Sequence, residues 1–419
     1  MKPFKIIALI AFLLGSVVNS WAQLISNPEN TYAIVVGVLD WQGDLSSFEK
    51  RNRKDAEFQA LLLDKGIPKD QLIALFDEQA TIENIHKALE TISTEANETS
   101  TVIFYYAGHG VKESGNIYFA NYDIKLNDIV GSGFGISKIS ETFGKSKAKR
   151  VLLFADCCYS GGLIQECEKL GKVKKEALAL TSATASNLST GNWTFSQTLL
   201  DGWKGHASGD HNKDNIIQLS ELKTELFDAM KFRERQMFGY AIAGVDENTK
   251  ISDVTADATV CSSEEFCGHY FWAKHEKHWK PVRIVGTGEN NTFNCEFYFY
   301  SDKVQKLKPR KQMKPLHFVT YSIGSSVEVE WKGIWYKAKV VDRKGDFSYI
   351  KYDGYDSTWN EWVLYDRVKT GKEALIQVED GGSYYPAYLL ETKGDKYYIR
   401  YKNYGSDWDE WVGEKRIKR

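Results

Sequence analysis

The chain has 419 residues, with 54 basic and 56 acidic side chains and a formal charge of −2, which excludes a protein built throughout to neutralise phosphates. Hydrophobic residues make up 42%, enough to bury real cores and to exclude disorder as the default, and the length fits two or three domains. Six cysteines are too few for a disulfide scaffold of this size.

Lys2 and Lys5 precede an apolar run from Ile6 to Leu14, and Ser20-Trp21-Ala22 sets small residues three and one positions before a cut. A bilayer needs roughly twenty apolar residues and this run is far shorter, so residues 1–22 read as a cleavable signal peptide. The expectation is a secreted or periplasmic protein with no membrane span in its mature chain. From Tyr32 to about Val260, short apolar runs alternate with amphipathic ones. The expected strands are Tyr32 to Val38, Gln71 to Phe76, Val102 to Ala107, Arg150 to Ala155 and Ala177 to Ala183. They show no alternation of period two, so they are expected to be buried on both faces. Ile82, Ile85, Leu89 and Ile92 form one helical stripe, and Ala56, Ala60 and Leu63 another. Residues 23–258 therefore read as an α/β domain, a mostly parallel sheet sandwiched by helices, with its site beyond the carboxyl ends of the strands.

Beyond residue 260 the texture changes. Eight of the twelve tryptophans lie there, and an offset of 49 maps Trp335-Tyr336 onto Tyr384-Tyr385 and Trp359, Glu361, Trp362 and Arg367 onto Trp408, Glu410, Trp411 and Arg416. That is an internal repeat, giving small all-β units at 316–369 and 370–419. Residues 259–315 hold a degenerate copy starting near Trp279 and a basic linker, Asp302 to Pro315. From Tyr321 to Arg419 there are 17 basic and 17 acidic residues, so nucleic acid is not expected as a partner.

Two strand ends carry chemistry. One apolar strand runs into His109-Gly110, and another into Asp156-Cys157-Cys158-Tyr159-Ser160-Gly161. If the strands are neighbours, the imidazole and a thiol meet at one rim, where histidine can take the thiol proton and leave a thiolate to attack a carbonyl. The N–H groups of Gly110 and Cys158 would form an oxyanion hole.

These motifs resemble those of the caspase and metacaspase-like cysteine peptidases of the caspase-haemoglobinase fold. The resemblance covers roughly residues 30 to 250, and Lys54-Asp55-Ala56 is similar to the family's early Asn-Asp-Ala. It implies Cys158 as nucleophile, with Tyr159 following it where metacaspases carry His, and His109 as general base and acid. Cys157 is expected to be a small buried hydrophobe. Similarity to metacaspases further implies that Asp156, with Asp55 as a second candidate, floors the pocket for the residue before the scissile bond, which would favour Arg or Lys. The competing role for Asp156 is a cap on the helix after the cysteine turn. No cofactor is required for this chemistry. A protein or peptide is the implied substrate, with a catalytically inactive adaptor or a thiol transpeptidase as alternatives.

Asp210, Asn212, Asp214, Gln218 and Glu221, with the Ile216 carbonyl, follow the spacing of an EF-hand loop, a candidate calcium site; Asn215 stands where glycine is usual. A solvated acidic turn is the alternative. Cys261 and Cys267, near His269, His275 and His278, suggest a disulfide rather than zinc in an exported chain. The terminal repeats resemble Tudor-knot and chromo-barrel units, in which aromatic rings can cage a cationic ligand. Trp335, Tyr352, Tyr355 and Trp359 are the candidate ligand surface, with barrel packing as the bland alternative and the ligand itself unknown.

Overall fold

The computed structural model describes residues 23–255, 268–276, 278–299, 302–371 and 373–418. Residues 1–22, expected as a signal peptide, and the expected Cys261–Cys267 disulfide lie outside the described residues.

Strands β1 (Thr31–Gly37), β2 (Leu72–Phe76), β3 (Thr101–Ala107), β7 (Arg150–Asp156), β8 (Glu176–Thr181) and β10 (Gly239–Ala243) form a six-stranded sheet in the order β10-β8-β7-β3-β1-β2. All neighbours are parallel except β10, which runs antiparallel to β8 on the edge. Every residue of β1 and β3 is buried, which is why these strands read as unbroken apolar runs. Between β3 and β7 a small antiparallel sheet is made by β4 (Gly110–Glu113), β5 (Asn116–Phe119) and β6 (Phe134–Gly135), with α3 (Ile129–Ser132) and α4 (Ser137–Phe143) in the same connection, and β9 (Ile216–Gln218) pairs with β11 (Lys250–Asp253).

Helices cover both faces. On one, Ile85, Leu89 and Ile92 of α2 (Ile82–Glu95) and Leu163 and Leu170 of α5 (Gly162–Lys172) pack on Val36, Phe104 and Leu153. On the other, α1 (Lys54–Asp64), α6 (Thr194–Trp203) and α7 (Leu219–Glu234) bring Phe58, Phe195 and Leu222 against Val35, Tyr105 and Phe154. The α1 stripe expected from Ala56, Ala60 and Leu63 is not its buried face. Phe58, Leu61 and Leu62 are buried instead, while Leu63 is 37% exposed. The Phe58 ring stacks on Tyr105 at 4.8 Å, and burying a ring removes far more apolar surface from water than burying alanine methyls.

Three antiparallel five-stranded sheets follow, with one strand order between them. The first has β12 (Tyr270–His275), β13 (His278–Gly288), β14 (Thr292–Phe299), β15 (Asp302–Pro309) and β16 (Met313–Pro315). The second has β17 (Ser326–Trp331), β18 (Ile334–Lys344), β19 (Phe347–Tyr352), β20 (Glu361–Val363) and β21 (Val368–Lys369). The third has β22 (Leu375–Asp380), β23 (Ser383–Lys393), β24 (Lys396–Tyr401), β25 (Glu410–Gly413) and β26 (Ile417–Lys418). A register shift recurs in each long second strand, between Ile284 and Gly286, Val340 and Asp342, and Leu389 and Glu391. Such bulges bend a sheet toward closure. Among the described residues no helix is long and apolar enough to cross a membrane.

Candidate active site

Strands β3 and β7 are paired neighbours, with Ala107 opposite Asp156. Two residues beyond those partners stand His109 and Cys158, so the topology carries both to one rim of the sheet. Their backbones nest closely. A Cβ on Gly110 would lie 1.8 Å from the Cys158 carbonyl oxygen, and one on Gly161 would lie 2.4 Å from the Ala185 nitrogen. Only glycine permits these approaches. At Gly110, then, the lack of a side chain serves first to let the histidine turn lie against the cysteine turn.

Cys158 is partly exposed, whereas Cys157 is 2% exposed and packs in the core. Burial raises the Cys158 thiol above its usual pKa, and a hydrogen bond from the Ser189 N–H to Sγ, at 3.2 Å, works against that rise. Burial pushes the Cys157 thiol far higher, which makes it inert as a nucleophile.

The His109 ring packs against both Trp41 and Phe48, with centroids 4.6 and 4.4 Å away, and Nε2 is 2.8 Å from the Ser46 carbonyl oxygen. A carbonyl can only accept, so Nε2 carries the proton and Nδ1 is left as the basic nitrogen. Burial lowers the imidazole pKa, and the bond to Ser46 opposes this. Among the described residues, no hydrogen bond joins His109 to Cys158 in this structure. The Ser46 carbonyl, which orients the ring, is a group the sequence reading missed. A main-chain oxygen leaves no residue-type signal.

Leu39, Phe48, Arg51, Asp156, Cys158 and Trp193 line a groove at this rim. Asp156 is 8% exposed, and its Oδ2 accepts from the Ser196 N–H at 3.2 Å and hydroxyl at 2.7 Å. It therefore caps the first turn of α6 rather than the helix after the cysteine turn, while also reaching the groove. Burial raises its pKa to about 6, against the lowering effect of those bonds. Asp55 is placed differently. It is fully buried and held by Arg53, whose Nη2 lies 2.6 Å from Oδ2 and whose Nη1 reaches Asp77 at 2.6 Å. Its charge is already matched by this guanidinium, and it is not among the residues lining the groove.

The loop from Asp210 to Glu221 closes on itself. Asp210 accepts from the N–H groups of Asp214 and Asn215, Asn212 from that of Asp214, and Asp214 from that of Ile216. Glu221 accepts from His211, Asn212 and Gln218, and with the Gln218 side chain it forms a capping box on α7. Asn215 adopts φ +65°, the left-handed conformation expected where glycine is usual. Among the described residues, however, no three His, Cys, Asp or Glu side chains converge as a metal site. The loop's carboxylates accept backbone N–H groups in this structure. The described histidines near the junction are likewise apart from any such cluster.

The aromatic surface differs from expectation at one position. Trp331, Tyr336, Tyr352, Tyr355 and Trp359 line a recess of about 170 Å3 with Glu361. Trp335 lies outside it, with the Lys369 ammonium 4.2 Å above its ring. Successive residues of a strand point to opposite faces, so Tyr336 on β18 faces the recess and its neighbour does not. Tyr352 donates to Glu361 at 2.7 Å, and Arg367 pairs with the same carboxylate. The arrangement recurs at the repeat offset, with Tyr401 donating to Glu410 and Arg416 pairing with it. In the first of these two barrels the recess is completed by Tyr159, Ser186 and Leu188 of the α/β domain.

The caspase domain family matches residues 32–263, and the chain belongs to that family of peptidases. A second family, Tudor-knot, described as the RNA binding activity-knot of a chromodomain, matches residues 368–419. Among solved structures, a protein from Geobacter sulfurreducens is 13% identical with a TM-score of 0.40, covering 54% of this chain and 100% of its own. The Drosophila initiator caspase Dronc is 14% identical with a TM-score of 0.38, covering 56% of this chain and 88% of its own. A search of curated proteins finds no match.

Proposed function

We propose that this chain is an exported cysteine endopeptidase that hydrolyses peptide bonds after Arg or Lys through Cys158 and His109. The observation that carries this reading is the pairing of Ala107 with Asp156, which brings a base-oriented imidazole and a half-buried thiol to one rim within a caspase-family domain. His109 Nδ1 takes the proton from Cys158, and Sγ attacks the carbonyl carbon. The N–H groups of Cys158 and Gly110 face the oxygen that gains charge. His109 then returns the proton to the leaving amine, and water attacks the thioester, regenerating the thiol and releasing the acid. Because the thiol is raised by burial and the two side chains are not bonded at rest, the proton moves only after substrate draws them together.

Selection for a basic residue rests on Asp156, which lines the groove and, among the described residues, has no ion pair of the kind that Arg53 makes with Asp55. A substrate guanidinium would replace water there with two charge-assisted bonds. Export rests on residues 1–22, and the repeats serve as a targeting module for a ligand of unknown identity. The Tudor-knot description speaks of RNA, but the equal numbers of basic and acidic residues from Tyr321 onward favour a protein, peptide or surface polymer. Fluorogenic peptides ending in Arg, Lys and Asp test the reading. Wild type is expected to release fluorophore from the Arg and Lys peptides and Cys158→Ala from none; faster turnover of the Asp peptide overturns the specificity, and retained turnover in Cys158→Ala overturns the nucleophile.

A further inference from the structure

The loop between β8 and α6 touches the nucleophile and the first clear barrel at once. Ser189 of this loop donates its N–H to Cys158 Sγ at 3.2 Å. Two residues earlier, the Asn187 carbonyl accepts the N–H of Tyr159, the residue after the nucleophile, at 2.9 Å. The Asn187 side chain faces the other way and meets the barrel. Its Nδ2 donates to the Trp362 carbonyl at 2.8 Å, and its Oδ1 accepts the Trp362 N–H at 3.1 Å. One amide thus copies a strand partner, filling both hydrogen-bonding positions of a residue in β20 while its own main chain holds the cysteine turn.

Further contacts hold the same two bodies together. Tyr159 and Leu188 wall the barrel's aromatic recess. Met237 of the α/β domain packs with Phe347 and Leu364 of the barrel, and Lys231 on α7 pairs with Asp346. Tyr159 itself sits at φ +56°, a conformation that a bulky residue keeps only where its surroundings impose it. The barrel and loop supply such surroundings.

We propose that Asn187 is a positioning residue that locks the barrel of residues 316–369 onto the loop holding Cys158, so that the barrel supports the active site besides targeting it. The proposal rests on Cys158 being the nucleophile. Asn187 touches neither substrate nor sulfur. It acts by fixing the main chain that presents the Ser189 N–H to Sγ, a bond that favours the thiolate over the thiol. Loosening that chain makes the thiolate harder to form.

The test follows the pH dependence of iodoacetamide alkylation at Cys158, read by peptide mass spectrometry in the full chain, beside kcat and KM on an Arg peptide. Asn187→Ala is expected to move the alkylation midpoint to higher pH and to lower kcat about tenfold, since a tenfold change corresponds to one lost hydrogen bond. Asp346→Asn, which weakens the docking from the barrel side without touching the loop, is expected to shift both quantities in the same direction by less. If Asn187→Ala fails to fold, the Asp346→Asn shift alone decides. An unchanged midpoint in the folded variants overturns the proposal. The alkylation profile is read whether or not peptide is cleaved. An inactive wild type whose midpoint still shifts in the variants would contradict the peptidase reading and leave the clamp standing.

Discussion

Burial holds the Asp156 carboxyl at about 6, well above the usual carboxylate range, and this links binding to folding. The folded chain holds that proton more tightly than the unfolded chain does. The contribution of Asp156 to stability is therefore greatest below about pH 4 and falls as pH rises through the folded value, by about 3 kcal/mol in all. Asp156→Asn keeps an oxygen for the Ser196 donors and removes the titration. Its denaturation midpoint relative to wild type should rise between pH 4 and pH 7; an equal difference at both pH values would contradict this. The meeting of His109 and Cys158 at one rim was legible in the sequence because each follows an apolar strand, β3 buried throughout and β7 in all but its first residue. Asp55 was misjudged as an open subsite because its partner, Arg53, is an ordinary surface residue type until the fold turns it inward across Asp55 and Asp77. Ser46 and Asn187 were not legible at all. One acts through a main-chain oxygen, and the other through a partner 175 positions away.

At the scale of elements, the site depends on how closely two strand-end turns approach. Gly110 is where that closeness is greatest, since an added Cβ would overlap the Cys158 carbonyl oxygen. Gly110→Ala must push the β3 turn away from the β7 turn. We expect a loss of about 1–3 kcal/mol of stability, as for other overpacked positions, and a fall in kcat of at least 100-fold from nucleophile displacement. Thermal denaturation and turnover of an Arg peptide check both, and near-normal turnover would contradict the geometry. The central strands were readable from their apolar runs, and the last two repeat sheets from their offset of 49; the first was not, because the stretch read as a basic linker, Asp302 to Pro315, supplies its strands β15 and β16. The antiparallel edge strand β10 was not, because Gly239–Ala243 is short and only its first residue is buried. The α1 face was misread because alanine spacing alone also satisfies a helical period, whereas Phe58 decides the burial.

Across the whole molecule, the barrels are joined to the α/β domain by contacts characteristic of a built interface. Arg283 of β13 pairs with the buried Glu225 of α7, which also meets His211 at 2.5 Å. Asn187 then ties the next barrel to the cysteine turn. The same topology that orders the sheet β10-β8-β7-β3-β1-β2 sets His109 beside Cys158, and everything proposed for catalysis follows from that adjacency. The most direct measurement is the site of covalent capture by a peptidyl acyloxymethyl ketone ending in Arg, mapped by mass spectrometry on wild type and His109→Ala. The account predicts a single adduct on Cys158 in wild type and a rate at least 100-fold lower in His109→Ala. An adduct on Cys157, or equal labelling without the imidazole, would contradict it.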